Sequence, residues 1–99
     1  PAKAALPWLA IASSASTDWS TKDLPGREVR IALELHCRGD RPDTAASLVA
    51  ALESRVAAMP AEQAGYRIVV ARFLRARAEQ WPGNVRSILT EYRFRLLAD

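Results

Sequence analysis

Ninety-nine residues, 49% apolar and 25% charged, are enough for one small core and exclude a disordered chain. Nineteen of the apolar residues are alanines, so thirty bulkier groups must supply the packing, enough for one sheet covered by one or two helices. The net charge of +3 is unevenly placed: residues 66–97 hold seven arginines and two glutamates, while residues 1–65 come to −1.

No segment reads as a membrane span, because the longest uncharged run, residues 4–17, is broken by Pro7 and three serines. The lone Cys37 excludes an internal disulfide framework and, as a thiol, hints weakly at a reducing compartment. Pro1 in place of Met reads as a processed or trimmed start. Basic residues are 12 Arg against 2 Lys, which fits either a GC-rich genome or guanidinium recognition of anions. A basic C-terminal third is suited to nucleic acid or to an acidic protein surface.

In chain order, Trp8 to Ser14 is a short strand with Pro7 at its start. Ser16 to Gly26, rich in Ser, Thr, Asp and Pro-Gly, reads as a long loop. Val29, Ile31, Leu33, Leu35 and Cys37 then alternate with Glu28, Arg30, Ala32, Glu34 and His36, a half-buried strand at period two. Arg38-Gly39-Asp40 stops it, with Asp40 as the better N-cap, Pro42 in the first helical turn and Asp43 near the positive helix end. Ala45, Leu48, Val49, Leu52, Val56 and Met59 follow helical spacing, and Pro60 and Gly65 bracket the exit.

Tyr66 to Gln80 and Val85 to Leu97 form the arms of a hairpin around Trp81-Pro82-Gly83-Asn84, where Pro-Gly fits a type II turn. Ile88, Tyr92, Phe94 and Leu96 share one face, and Glu91, Arg93 and Arg95 the other. The parity of the first arm is mixed, and a bulge near Ala71 to Phe73 reconciles it. Thirteen strand residues reach roughly 44 Å, whereas a helix of about 17 residues covers only about 26 Å. Part of the ribbon must project beyond its core, carrying Trp81 at its tip as a contact for another subunit. The expected fold is α+β: a mainly antiparallel sheet, strand-strand-helix-strand-strand, with one helix packed on one face, in a single domain over residues 1–99. Its second face and its edges need cover, most simply from copies of itself.

Chemistry is sparse. Adjacent His36 and Cys37 point to opposite strand faces and cannot form a nucleophile–base pair. Cys37 reads as a core thiol and His36 as a solvated or interface residue. Zinc needs more His or Cys ligands than the chain owns, and its four isolated glycines make no phosphate-cradling loop. No catalytic residue, metal site or cofactor is expected, and only a site shared between subunits would make the chain an enzyme. Arg67, Arg75, Arg77, Arg93 and Arg95 can share a face with Phe73 as a stacking platform, and that face reads as solvated or ion-paired, as an intersubunit contact, or as a nucleic-acid surface. Trp19 either tucks onto its own sheet or anchors a partner.

The run Pro7-Trp8-Leu9-Ala10-Ile11, then Asp18-Trp19-Ser20-Thr21-Lys22, then Gly26-Arg27-Glu28 leading into the alternating strand, resembles the tail-completion family, the tail terminators of long-tailed phages and of phage-derived gene transfer agents. Cys37-Arg38-Gly39, the helix and the closing Tyr92-Arg93-Phe94-Arg95-Leu96-Leu97 also match, so the resemblance covers essentially the whole chain, through the order of its motifs. It implies a non-enzymatic α+β protomer that forms a homo-oligomeric ring, a hexamer, capping the tail tube protein and meeting the head–tail connector or stopper protein. DNA would pass the lumen without specific binding, and no membrane is involved. The protein would be a structural component of the virion or phage-like particle, in the neck region of the tail, assembled in the bacterial cytoplasm. Family members usually begin with a helix before the first strand, which this sequence does not show. The implied partner contacts are Asp18, Trp19, Ser20, Thr21 and Lys22 together with the last strand, here Arg93 and Arg95. Two competing readings are a small nucleic-acid-binding module using the Arg-rich β-hairpin, and a small-molecule-sensing domain with a dimer cleft.

Overall fold

A computed structural model describes residues 6–39 and 42–98. In chain order they form β1 (Trp8–Asp18), β2 (Gly26–Arg38), α1 (Pro42–Ala57), β3 (Glu62–Gln63), β4 (Tyr66–Trp81) and β5 (Val85–Ala98). The strands make one antiparallel sheet in the order β1-β2-β5-β4-β3, so the C-terminal strand lies at its centre. The mainly antiparallel α+β expectation holds, with β3 as an addition to the expected strand order. This two-residue strand turns back onto β4 through Ala64 and Gly65, at φ 51° and 87°. Positive φ at both central residues is the backbone of a two-residue hairpin turn, and Ala64 hides it from a search for Asn-Gly or Gly-Gly.

β1 also runs further than expected. Its Ser-Thr segment, residues 13–17, pairs with residues 28–32 of β2, after a register shift around Ala12. Small polar side chains suit a strand whose outer edge faces water, so composition alone misreads them as loop. The loop proper is Trp19–Pro25. Gly26 closes it because a Cβ there would stand 2.6 Å from the Trp19 carbonyl oxygen and 2.9 Å from that of Leu96.

Cross-strand partners point to the same side of a sheet, so the register sorts the residues onto two faces. Leu35 and Ile88 are partners, and with Cys37 and Ala45 they form the core, against which Leu48 and Val49 of α1 pack. Cys37 is the buried core thiol that the alternation implies. The Asp40 cap lies outside the described residues; Asp43 does occupy the first helical turn.

The helix is short for its sheet. Sixteen residues of α1 rise about 24 Å, fourteen residues of β5 extend about 45 Å, and the long axis of the molecule is 52 Å. Val29, Ile31 and Leu33 therefore stay half-buried, although they share a face with the buried Leu35 and Cys37.

In the hairpin the irregularity is double and is displaced from residues 71–73: the register shifts around Val69 and again around Leu74. Ala71 and Phe73 consequently pair with Phe94 and Tyr92, on the helix side of the sheet. That corrects the stacking platform, since the arginines expected around Phe73 lie on the opposite face. At the turn, Gly83 takes φ 77° as Pro-Gly requires, and Asn84 continues at φ 58°.

Leu35→Ala should cost about 2–5 kcal/mol in urea unfolding, and Leu33→Ala clearly less. Equal losses would mean that the helix covers Leu33 as fully as Leu35.

Candidate assembly surfaces

His36 is 3% exposed, against the expectation of a solvated or interface residue. Trp8 stacks on it (ring centroids 4.1 Å apart, planes 9° apart) and Trp81 meets it edge-on at 4.5 Å. The tryptophans close over a ring on the polar face, and His36 Nε2 sits 2.6 Å from Glu34 Oε1. This clasp ties the start of β1 to the tip of the hairpin. Trp81, expected to project, is thus partly spent inside its own chain, while 39% of it remains exposed.

At the other end of the sheet the β1–β2 loop is built by its own hydrogen bonds. Ser20 Oγ donates to Asp18 Oδ1 at 2.7 Å and accepts from the Gly26 amide at 3.0 Å. Thr21 Oγ1 accepts from the Leu24 amide at 3.0 Å, and the Trp19 amide donates to the Gly26 carbonyl at 3.0 Å. The Trp19 indole is half-buried beneath the Arg95 guanidinium, 5.1 Å from its ring centre. Of the two expected Trp19 roles, the structure shows the ring tucked against its own sheet, with part of its surface outward. Lys22 is exposed at the loop tip.

Beyond the end of α1 the uncovered apolar face forms a groove of about 290 Å³, lined by Ile11, Ile31, Leu33, Met59, Phe94 and Leu96 among others. Ile11 is 66% exposed at its rim. The Tyr92 hydroxyl reaches this region buried and without a hydrogen-bond partner. Burial raises its pKa above the ordinary 10.0, and the nearby Glu53 carboxylate raises it further.

The opposite face is charged. By the pairing register it carries Arg30, Arg38, Arg67, Arg72, Arg75, Arg77, Arg93 and Arg95 against Glu28, Glu34, Glu79 and Glu91. Its net +4 exceeds the +3 of the whole chain. Arg95 Nε donates to Glu28 Oε1 at 3.0 Å, and Arg75 Nε to Glu91 Oε1 at 2.7 Å. Among the described residues no three His, Cys, Asp or Glu side chains cluster to hold a metal ion, and no helix is long and apolar enough to cross a membrane.

Residues 1–97 match the family described as Tail completion protein gp17. The chain belongs to this tail completion family. Among solved structures it is similar to a chain of "Virion of native gene transfer agent (GTA) particle", with a TM-score of 0.78 and 20% identity over 93% of this chain and 69% of that one. At that identity the likeness is one of fold. No curated protein matches.

Membership of the tail completion family gives the chain a structural role in a phage-type tail. Of the expected contact residues, Asp18, Trp19, Ser20, Thr21 and Lys22 form one compact loop, and Arg95 joins them through Trp19. Arg93 belongs to the charged face, and Trp81 stands at the clasp near the opposite end of the sheet. Sequence reasoning missed the clasp, although the pairing of Trp8 with His36 was open to discovery once β1 was set antiparallel to β2. It also missed the groove, which depends on where the helix ends.

Tyr92→Phe removes an orphaned hydroxyl and should leave stability at pH 7 unchanged or raise it by about 1 kcal/mol. Because the folded pKa is raised, folding disfavours the phenolate, so wild-type stability is insensitive to this group below pH 10 and falls as pH climbs above 10. In Tyr92→Phe that share of the alkaline loss should vanish; an unchanged alkaline profile would show that Tyr92 does not titrate in folding.

Proposed function

We propose that this chain is a tail terminator: a non-enzymatic protomer that joins copies of itself into a ring of six, caps the tail tube and presents a surface to the head-side connector. The observation that carries this reading is the uncovered half of the helix-side face. Ile11 is 66% exposed at the rim of an apolar groove there, and Leu9 and Phe73, 48% and 45% exposed, add apolar surface elsewhere on the same face. Such a surface on a chain this small favours association over a solitary life. The two sheet edges add to it. Among the described residues β1 has no outer neighbour, and the edge of β4 is paired only at residues 66–68, so both offer long rows of unpaired backbone groups. A copy of the chain supplies both kinds of cover at once, and head-to-tail contact between unlike edges gives a ring where the rotation between copies closes.

The Trp19 loop suits a surface toward the tube or the connector, because its fold is fixed by internal hydrogen bonds and residues 20–25 are exposed. The nucleic-acid reading loses its aromatic platform with Phe73 on the opposite face.

Negative-stain images of the purified chain mixed with tubes of the cognate tail tube protein should show rings seated at one tube end. Trp19→Ala should reduce seated rings much more than it lowers the melting temperature. Bare tube ends with the wild-type chain would reject the terminator role, and parallel losses of fold and seating would make Trp19 a core residue.

A further inference from the structure

On the charged face three arginines are direct cross-strand partners: Arg30 of β2 pairs with Arg93 of β5, which pairs with Arg72 of β4. Adjacent strands lie about 4.8 Å apart, so the row crosses the sheet in about 10 Å. Like charges placed directly opposite each other destabilise a sheet. The neighbouring rows are relieved by carboxylates. On one side Glu28 takes Arg95 at 3.0 Å and lies 3.8 Å from Arg30. On the other side Glu91 takes Arg75 at 2.7 Å. The Arg30–Arg93–Arg72 row has no carboxylate of its own, and Arg93 Nε is buried without an acceptor.

We propose that this row is a docking strip for an acidic segment of a different protein, whose carboxylates seat between the guanidinium groups as Glu28 does between Arg95 and Arg30. Arginine suits that role because its planar fork takes a carboxylate in two-point contact. The face shows the pattern beside the strip, where arginine–glutamate pairs at 2.7 and 3.0 Å flank it. The same glutamates disfavour a polyphosphate chain, which would have to run past them along the strands. A second copy is a poor complement too, because the other described acidic residues, Asp18, Asp23, Asp43, Glu53 and Glu62, are spread over β1, its following loop, α1 and β3. The strip is independent of the ring: it needs only a neighbour with clustered carboxylates.

The test is binding of the intact chain to poly-L-glutamate and to a duplex DNA of about 30 base pairs, both at about 0.15 M salt. Poly-glutamate should bind, Arg72→Gln and Arg30→Gln should each weaken it about threefold, and the double variant about tenfold. Arg38→Gln, at the far end of the same face, should leave it unchanged. Both strip variants alter exposed side chains and relieve a like-charge contact, so their unfolding midpoints should equal or exceed that of the wild type. Absence of poly-glutamate binding, binding indifferent to Arg72 and Arg30, or tighter binding of the duplex would each overturn the assignment.

Discussion

The length of the helix relative to the sheet governs this molecule. α1 rises about 24 Å along a body 52 Å long, so it seals Leu35, Cys37 and Ile88 and leaves Val29, Ile31 and Leu96 half-buried. A two-layer domain is stable because each apolar face finds a partner layer. Here one layer ends early, and side chains worth about 1.5–3 kcal/mol each when fully buried stay partly in water. The exposed face follows from chain geometry before any partner is considered.

What keeps so long a sheet in shape is its two ends. At one, Trp8 and Trp81 close on His36 and lock β1 to the hairpin tip. At the other, Gly26 lets the backbone of the β1–β2 loop approach β5, and Arg95 lies across Trp19. Between these anchors the faces differ in kind: the helix side is apolar and half-open, and the other is a lattice of arginines and glutamates. Family membership places such a chain in a phage-type tail, in a particle built with other virion proteins.

Much of the fold was legible because period-two alternation survives the absence of structure. Val29 to Cys37 and Ile88 to Leu96 each separate cleanly onto one face, and the α1 pattern and the Pro82-Gly83 turn are local. The parts that were not legible depend on distant geometry. The two bulges at Val69 and Leu74 preserve facing only in the presence of β5. Residues 15–18 become strand because β2 offers them an edge, not because Ser and Thr demand it. The burial of His36 needs two tryptophans that are 73 residues apart in the chain. The Trp19 loop was readable as a contact candidate because an aromatic among polar residues stands out from any period. The in-line Arg30–Arg93–Arg72 row requires the pairing register of three strands, which no single segment encodes.

Sedimentation velocity over a wide concentration range, on the wild type and on Ile11→Asp, probes the incomplete cover most directly. The wild type should pass from protomer to a closed assembly as concentration rises. Ile11→Asp, which charges the most exposed rim of the groove, should remain a protomer with an unchanged unfolding midpoint. A wild-type chain that sediments as a single protomer throughout would contradict the claim that copies complete the sheet.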